Sequence, residues 1–169
     1  GNGGGGLDLA SAPDALVRRS VFADNGAFYG AGIGGYGASG DAPAIESCLV
    51  HSNAAGNAGG GIYCYQGSPR IAGSTITDNT GGGVVLDDVG VARVENTIVR
   101  DNSGGEIVSG VAAPAVRYSN VAGGHTGEGN IDEAPAYVDA LAGDYRLAPG
   151  SPGIDAADGD VAPLLDLEG

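Results

Sequence analysis

Lysine, tryptophan and methionine are absent from the chain, and aromatic residues make up only 5% of it. Without large aromatic anchors, the interior has to be assembled from Val, Ile, Leu and Ala. Charged residues are scarce too, at 17%, and mostly of one sign: seven arginines stand against 21 acidic residues, a net charge of −14. That imbalance argues against nucleic acid or an anionic membrane surface as a partner, since both need cationic protein surface. It suits an extracellular or high-salt setting, or the binding of cations. No stretch nears the roughly 18 consecutive apolar residues of a membrane-spanning helix, so this segment is not expected to insert into a membrane. Nor does it open with the charged and then apolar leader of a signal peptide. The two cysteines, Cys48 and Cys64, stand in no metal-ligand spacing.

What the chain has is glycine, 34 residues of it, without the every-third period of collagen. The opening GNGGGG matches G-x-G-x-x-G as a string. A dinucleotide loop must follow a strand and open a helix, and neither neighbour is present. The same wording returns further on. A glycine-rich step leads into an apolar residue at Leu7, Ile33, Ile62, Val84 and Ile107, with separations of 26, 29, 22 and 23. A second apolar column follows at Val17, Ile45, Ile71, Val94 and Val116. A third signature is a short strand ending in Asn25, Asn53, Asn79 and Asn102, each 8 residues after its second-column partner. The spacing from Asn to the next apolar step varies between 5 and 9, as a surface connection would.

Repeats of this length, with three short strands and no amphipathic helix, predict one coil each of a right-handed parallel β-helix. A leucine-rich repeat has a similar period, but its L-x-x-L-x-L framework is missing. The expected fold is all-β, with about four to five coils over residues 1–118 and an irregular cap over 119–169. Strand alternation places the interior columns. Phe22, Val50, Ile76 and Val99 form one, Ser20, Cys48, Ser74 and Thr97 a second, and Leu9, Gly35, Cys64, Leu86 and Ser109 a third. A one-residue slip would bring Arg100 and Asp78 inward, so the register is strongly specified. Cys48 and Cys64 both fall on inward columns, which favours buried free thiols. A disulfide would require their Cα atoms within about 7 Å.

The Asn column reads as structural. Asn tolerates a left-handed corner, and stacked amides can donate and accept along a ladder. The best chemical candidate lies beside it. Asp78 and Asp101 immediately precede two of these asparagines, with Arg100 and His51 in the neighbouring column. Two carboxylates and an arginine could hold Ca²⁺ and a uronate; they could equally cap corners while Arg100 relieves their repulsion. Asp87 and Asp88 read as a polar turn that could take a cation. Asp155, Asp158 and Asp160 in DAADGD resemble a calcium loop without its full spacing, so Ca²⁺ is the one ion considered and no cofactor is required. Arg18 and Glu46 stand at equivalent positions as an expected cross-coil pair. Tyr63 and Tyr65 are the one visible aromatic pair that could form a sugar platform. No hydrolase or zinc-protease motif occurs.

From Ser119 the repeat gives way to a Pro-, Gly- and Asp-rich tail with anchors Ile131, Tyr137, Val138, Tyr145, Leu147 and Ile154, read as a cap over the open coil, with GDYRL a short strand. The run GGGIYC, SPRI, STITDN, YSNV, GNIDEAPAYVD and GDYRLAPGSPGIDAAD resembles the secreted right-handed parallel β-helix repeat proteins of bacteria and archaea, including choice-of-anchor and polymorphic outer-membrane repeat types. That resemblance implies a large extracellular or cell-surface protein, of which these would be the C-terminal coils and cap. Because the chain begins partway through a repeat, a longer coil is expected upstream. The first expectation for function is a non-catalytic scaffold, adhesion or assembly module, with cell-surface glycan or further copies of the protein as partners. The second is a polysaccharide lyase-like or glycan-binding β-helix, since the same architecture carries such enzymes.

Overall fold

The computed structural model describes residues 3–10, 12–37, 40 and 42–160. Gly1 and Asn2 of the opening motif, and the PLLDLEG stretch within the expected cap, lie outside the described residues. Three sheets, each five strands deep, wind around one interior. The first stacks Leu7–Asp8, Ile33–Tyr36, Ile62–Tyr65, Val84–Asp87 and Ile107–Ser109. The second stacks Leu16–Arg18, Ala44–Glu46, Arg70–Ala72, Arg93–Glu95 and Ala115–Arg117. The third stacks Val21–Ala23, Leu49–His51, Thr75–Thr77, Ile98–Arg100 and Asn120–Val121. All these pairings are parallel, and like positions sit in register: Ile33 against Ile62, Ile45 against Ile71, Val50 against Ile76. This is the solenoid that the repeat spacing predicts.

Strands of two to four residues survive because those of the inner coils are sandwiched between copies above and below. Ile33, Ile45, Val50, Ile62, Ile76, Val84, Leu86, Val94 and Val99 are fully buried. A side chain of this kind contributes about 1.5–3 kcal/mol when removed from water. Cys48 and Cys64 are both buried and unbonded, on the interior columns expected of them. Burial pushes the Cys64 thiol up to about 12.

Two side-chain ladders close the corners. At the first, Asn25 Nδ2 donates to Asn53 Oδ1, Asn53 Nδ2 to Asn79 Oδ1, and Asn79 Nδ2 to Asn102 Oδ1, each at 2.9 Å. The backbone N–H of each donor asparagine reaches the same oxygen at 3.0 Å. The left-handed residue at this corner is not the asparagine, as the sequence suggested, but the one before it. Asp24, Ser52, Asp78 and Asp101 have φ between 54° and 58°. The asparagine keeps ordinary backbone, and its amide turns inward to serve the ladder. The facing column is glycine for want of room: a Cβ on Gly61 would collide with the Gly83 carbonyl oxygen and lie 3.1 Å from the Asn79 amide nitrogen.

The last coil exchanges these two positions. Glu106 stands where Gly83 stands one coil earlier, and Gly124 where Asn102 does. The Glu106 carboxylate fills the gap, accepting from Asn102 Nδ2 at 2.6 Å and from its N–H at 3.3 Å. Burial pushes its carboxyl above the usual range, against the opposing pull of the Asn102 bonds.

The second ladder runs through the Ser20, Cys48, Ser74, Thr97 and Ser119 column. Cys48 N–H donates to Ser74 Oγ, Ser74 N–H to Thr97 Oγ1 and Thr97 N–H to Ser119 Oγ, at 3.1, 3.5 and 3.2 Å. It ends on Asn130 Oδ1, which accepts from Ser119 N–H at 3.0 Å. Outside the second sheet, Glu46 does not pair with its register neighbour Arg18. Its partner is Arg70 at 2.5 Å, which also reaches Glu95 at 3.3 Å, while Arg117 binds Glu95 at 2.5 Å. The small Ala72 lies between Glu46 and Glu95 in register and leaves room for the Arg70 guanidinium. Burial alone would raise the Glu95 carboxyl, but Arg117 and Arg70 together hold it below its ordinary value.

Candidate functional site

Period-2 alternation turns His51, Thr77 and Arg100 outward on the third sheet, one above another, because Val50, Ile76 and Val99 face in. Asp78 and Asp101 follow at the corner on adjacent coils, about 4.8 Å apart by strand spacing. The four residues singled out in the sequence therefore do share one face. The tail shares it with them. Tyr137–Asp139 and Asp144–Leu147 form an antiparallel hairpin, closed by a single 3₁₀ turn at Ala140–Ala142 that Asp139 caps. This hairpin folds back onto the sheet.

Each polar group of the cluster meets something specific there. Tyr145 donates its hydroxyl to Asp78 Oδ2 at 2.8 Å, and its ring lies 5.0 Å from the His51 ring. Burial, then the bond to Asp78, pushes the Tyr145 hydroxyl up to about 12. Arg100 is 9% exposed. Its Nη1 donates to Asn120 Oδ1 at 2.7 Å, to the Asp132 carbonyl at 3.1 Å and to Asp132 Oδ1 at 3.2 Å. His51 Nδ1 is 3.0 Å from Ser52 Oγ. Asp101 is exposed at its left-handed corner. The Tyr137 hydroxyl is buried with no partner among the described residues, and desolvation, with the nearby charge of Asp101, pushes it upward. Its ring packs edge-on against Tyr145 at 5.2 Å. A cavity of about 720 Å³ opens beside the hairpin, bounded by Leu49 and Thr75 of the sheet and Tyr145 and Leu147 of the tail.

The other candidates lie elsewhere. Asp158 exchanges backbone bonds with the Asn96 side chain, 2.9 Å from its N–H and 3.0 Å to its carbonyl, and its own Oδ1 accepts from Asp160 N–H. Asp155 sits in a left-handed turn at φ 57°. Among the described residues, no three His, Cys, Asp or Glu side chains converge as a metal ion would need. Asp88 is left-handed and accepts from Gln66.

Tyr63 and Tyr65 do face outward together, on the first sheet. Tyr63 is buried, donates to Asp87 Oδ2 at 3.2 Å and packs 4.9 Å from Tyr29. Tyr65 is 36% exposed and Phe28 50%, with Phe28 edge-on to Tyr29 at 4.9 Å. The sequence showed the tyrosine pair but not its extension. Phe28 and Tyr29 lie in the variable segment after Asn25, which pairs as Gly26–Tyr29 with Ala54–Ala58 and swings beside the first sheet. Asp132, Asn130 and Glu106 were also missed as partners of the coil. The signal for Glu106 was available: aligning the coils leaves the Asn column empty at Gly124 and puts a lone side chain into the glycine column.

Among the described residues, no helix is long and apolar enough to cross a membrane. Comparison with curated proteins found no match, and comparison with solved structures found none either. The model of one family, described as the right-handed beta helix region, matches residues 1–125, which takes in all three sheets. The chain therefore belongs to the right-handed β-helix family.

Proposed function

We propose that the chain is a non-catalytic β-helix scaffold that works outside the cell or at its surface. One observation carries this reading: the polar groups best suited to act on a ligand are spent on holding the tail. Arg100, the one cation of the cluster, is committed to Asn120 and Asp132, and Asp78 to Tyr145. A lyase needs its basic group free beside a bound uronate. The acidic, lysine-free surface adds repulsion against any polyanionic substrate. The test is incubation of the chain with uronate-containing and neutral polysaccharides, with and without Ca²⁺. No cleavage is expected. Product formation that disappears in a folded Arg100→Ala variant would overturn the reading.

A second reading has its own support, the aromatic cluster of Phe28, Tyr29, Tyr63 and Tyr65 beside Asp87. Tyrosine faces stack on sugar rings while a carboxylate accepts from their hydroxyls. This patch suits a neutral glycan better than an acidic one. Affinity electrophoresis in neutral glucans tests it: retardation lost in Tyr65→Ala supports the reading, and mobility unchanged by any glycan refutes it.

A further inference from the structure

The outer face of the second sheet gathers a charge that the rest of the molecule lacks. Arg18, Arg70, Arg93 and Arg117, four of the seven arginines, point outward from it against Glu46 and Glu95. Glu95 is 3% exposed, covered by Arg70 and Arg117. From the first coil to the fifth, the face therefore presents Arg18, Glu46, Arg70, Arg93 and Arg117. Arg18 and Arg93 are exposed and make no ion pair among the described residues. The remaining outward positions hold Leu16, Ala44, Ala72 and Ala115, which leave the face flat between its charges.

The corner before the asparagine ladder carries the opposite sign. Its left-handed residues are Asp24, Ser52, Asp78 and Asp101 in coils one to four, and Gly123 takes the place in the fifth. All three aspartates are exposed. The backbone does not demand carboxylates there, since Ser52 fits, and Arg19, Asn96 and Tyr118 adopt the same conformation at another corner. The two columns of charge match coil by coil. Arg18 is level with Asp24, Glu46 with the neutral Ser52, Arg70 with Asp78, and Arg93 with Asp101. Both columns climb by about 4.8 Å per coil, so the match holds along the stack. Sliding one column by a coil in either direction would set Glu46 against Asp78 or Asp24.

We propose that the outer face of the second sheet docks on the Asp24, Asp78 and Asp101 corner of a second copy of this chain, with the two β-helices side by side, parallel and level. The proposal rests on the scaffold reading and names the partner of that scaffold. The contact joins two different faces, so it does not close on itself and passes from copy to copy. A net charge of −14 drives copies apart at low salt. At about 0.15 M salt the screening length of about 8 Å removes most of that long-range repulsion, while charges in contact still pair. A face of five short strands is small for an interface, so the contact is weak and calls for high concentration.

Sedimentation equilibrium of the chain tests this, from about 10 µM to about 1 mM. In about 0.15 M salt the average mass should rise with concentration, and in about 1 M salt it should return to that of the monomer. Arg93→Glu and Asp101→Arg, each checked for folding by circular dichroism, should both stay monomeric when alone. An equimolar mixture of the two should associate again, because each supplies the face that the other has lost. Ser52→Arg sets a cation level with Glu46 and should tighten association by about two- to fivefold; in a slipped register it would meet Arg18 or Arg70 and weaken it. A parent chain that stays monomeric to about 1 mM overturns the proposal. So does association that survives high salt or Arg93→Glu, a mixture no better than its components, or weakening by Ser52→Arg. No polysaccharide enters these measurements, so the scaffold reading fails or stands separately.

Discussion

Asn79→Asp is the sharpest perturbation of the coil stack, because it changes one NH₂ to an oxygen and nothing in volume. Asn79 Nδ2 donates to the Asn102 Oδ1, Val50 and Thr77 oxygens at 2.9, 3.0 and 2.9 Å. The side chain is 1% exposed. A carboxylate there would face three oxygens with no proton to offer, while still accepting from Asn53. A buried group left unmet costs about 1–3 kcal/mol, and the substitution strands more than one, so about 3–5 kcal/mol is expected at neutral pH. For a chain of this size about 1 kcal/mol moves the melting midpoint by about 2–4 °C. The introduced carboxyl would have its folded pKa raised by burial among oxygens. Its protonated form is therefore the compatible one, and the lost stability returns as pH falls through the folded pKa. Asn25→Asp serves as the control. Asn25 is half-buried and among the described residues its amide donates to Asn53 alone, so about 1 kcal/mol or less is expected. Thermal melting followed by far-ultraviolet circular dichroism reads both variants. Equal melting of Asn79→Asp and the parent, or equal loss in the two variants, would refute the ladder as a source of stability.

Other substitutions separate the remaining contacts. Glu106→Ala removes the acceptor of the Asn102 N–H and one acceptor of its Nδ2, which keeps the Ile76 and Arg100 carbonyls, and should cost about 1–2 kcal/mol in denaturant melts, with Glu106→Gln recovering most of it through its amide oxygen. The raised Glu106 carboxyl and the lowered Glu95 carboxyl act oppositely with pH. The Glu95 contribution is full above the unfolded carboxylate pKa and disappears as pH falls through its depressed folded value, so Glu95→Gln should flatten the acid limb of the stability profile. Tyr137→Phe removes a buried hydroxyl with no partner among the described residues and should be neutral or stabilising by about 1 kcal/mol, whereas Tyr145→Phe loses the bond to Asp78 and should destabilise. Cys48→Ser should be tolerated, since serine already occupies that column at Ser20 and Ser74. Cys64→Ser places a hydroxyl among apolar neighbours and should cost about 1–3 kcal/mol.

The coil was legible because a parallel β-helix repeats its constraints. Ile45, Ile71 and Val94 announce one inward column, and the constant spacing to Asn53, Asn79 and Asn102 fixes a second. Register followed from alternation alone, since Arg100 and Asp78 could not face in. The corner conformation was misread because Asp, Ser and Asn all tolerate the left-handed region, and only the ladder geometry decides which of two neighbours takes it. The Glu46 pairing was misread because a long Arg70 side chain reaches diagonally across a small Ala72, which register does not reveal. The cluster on the third sheet was half legible. Repeat arithmetic brought Asp78, Asp101, Arg100 and His51 together, but their partners Tyr145 and Asp132 come from a tail with no period to align. The aromatic cluster was hidden for the same reason, since Phe28 and Tyr29 lie in the segment whose length varies from coil to coil.

Hydrogen exchange across residues 137–147, compared between the parent chain and Arg100→Ala, bears most directly on whether the polar cluster is a clasp for the tail. Loss of the Arg100 contacts to Asn120 and Asp132 should speed exchange in the Tyr137–Asp139 and Asp144–Leu147 hairpin while Thr75–Thr77 and Val84–Asp87 stay protected. A hairpin that exchanges at the parent rate would show that Arg100 does not hold the tail, and would return the cluster to the role of a free ligand site.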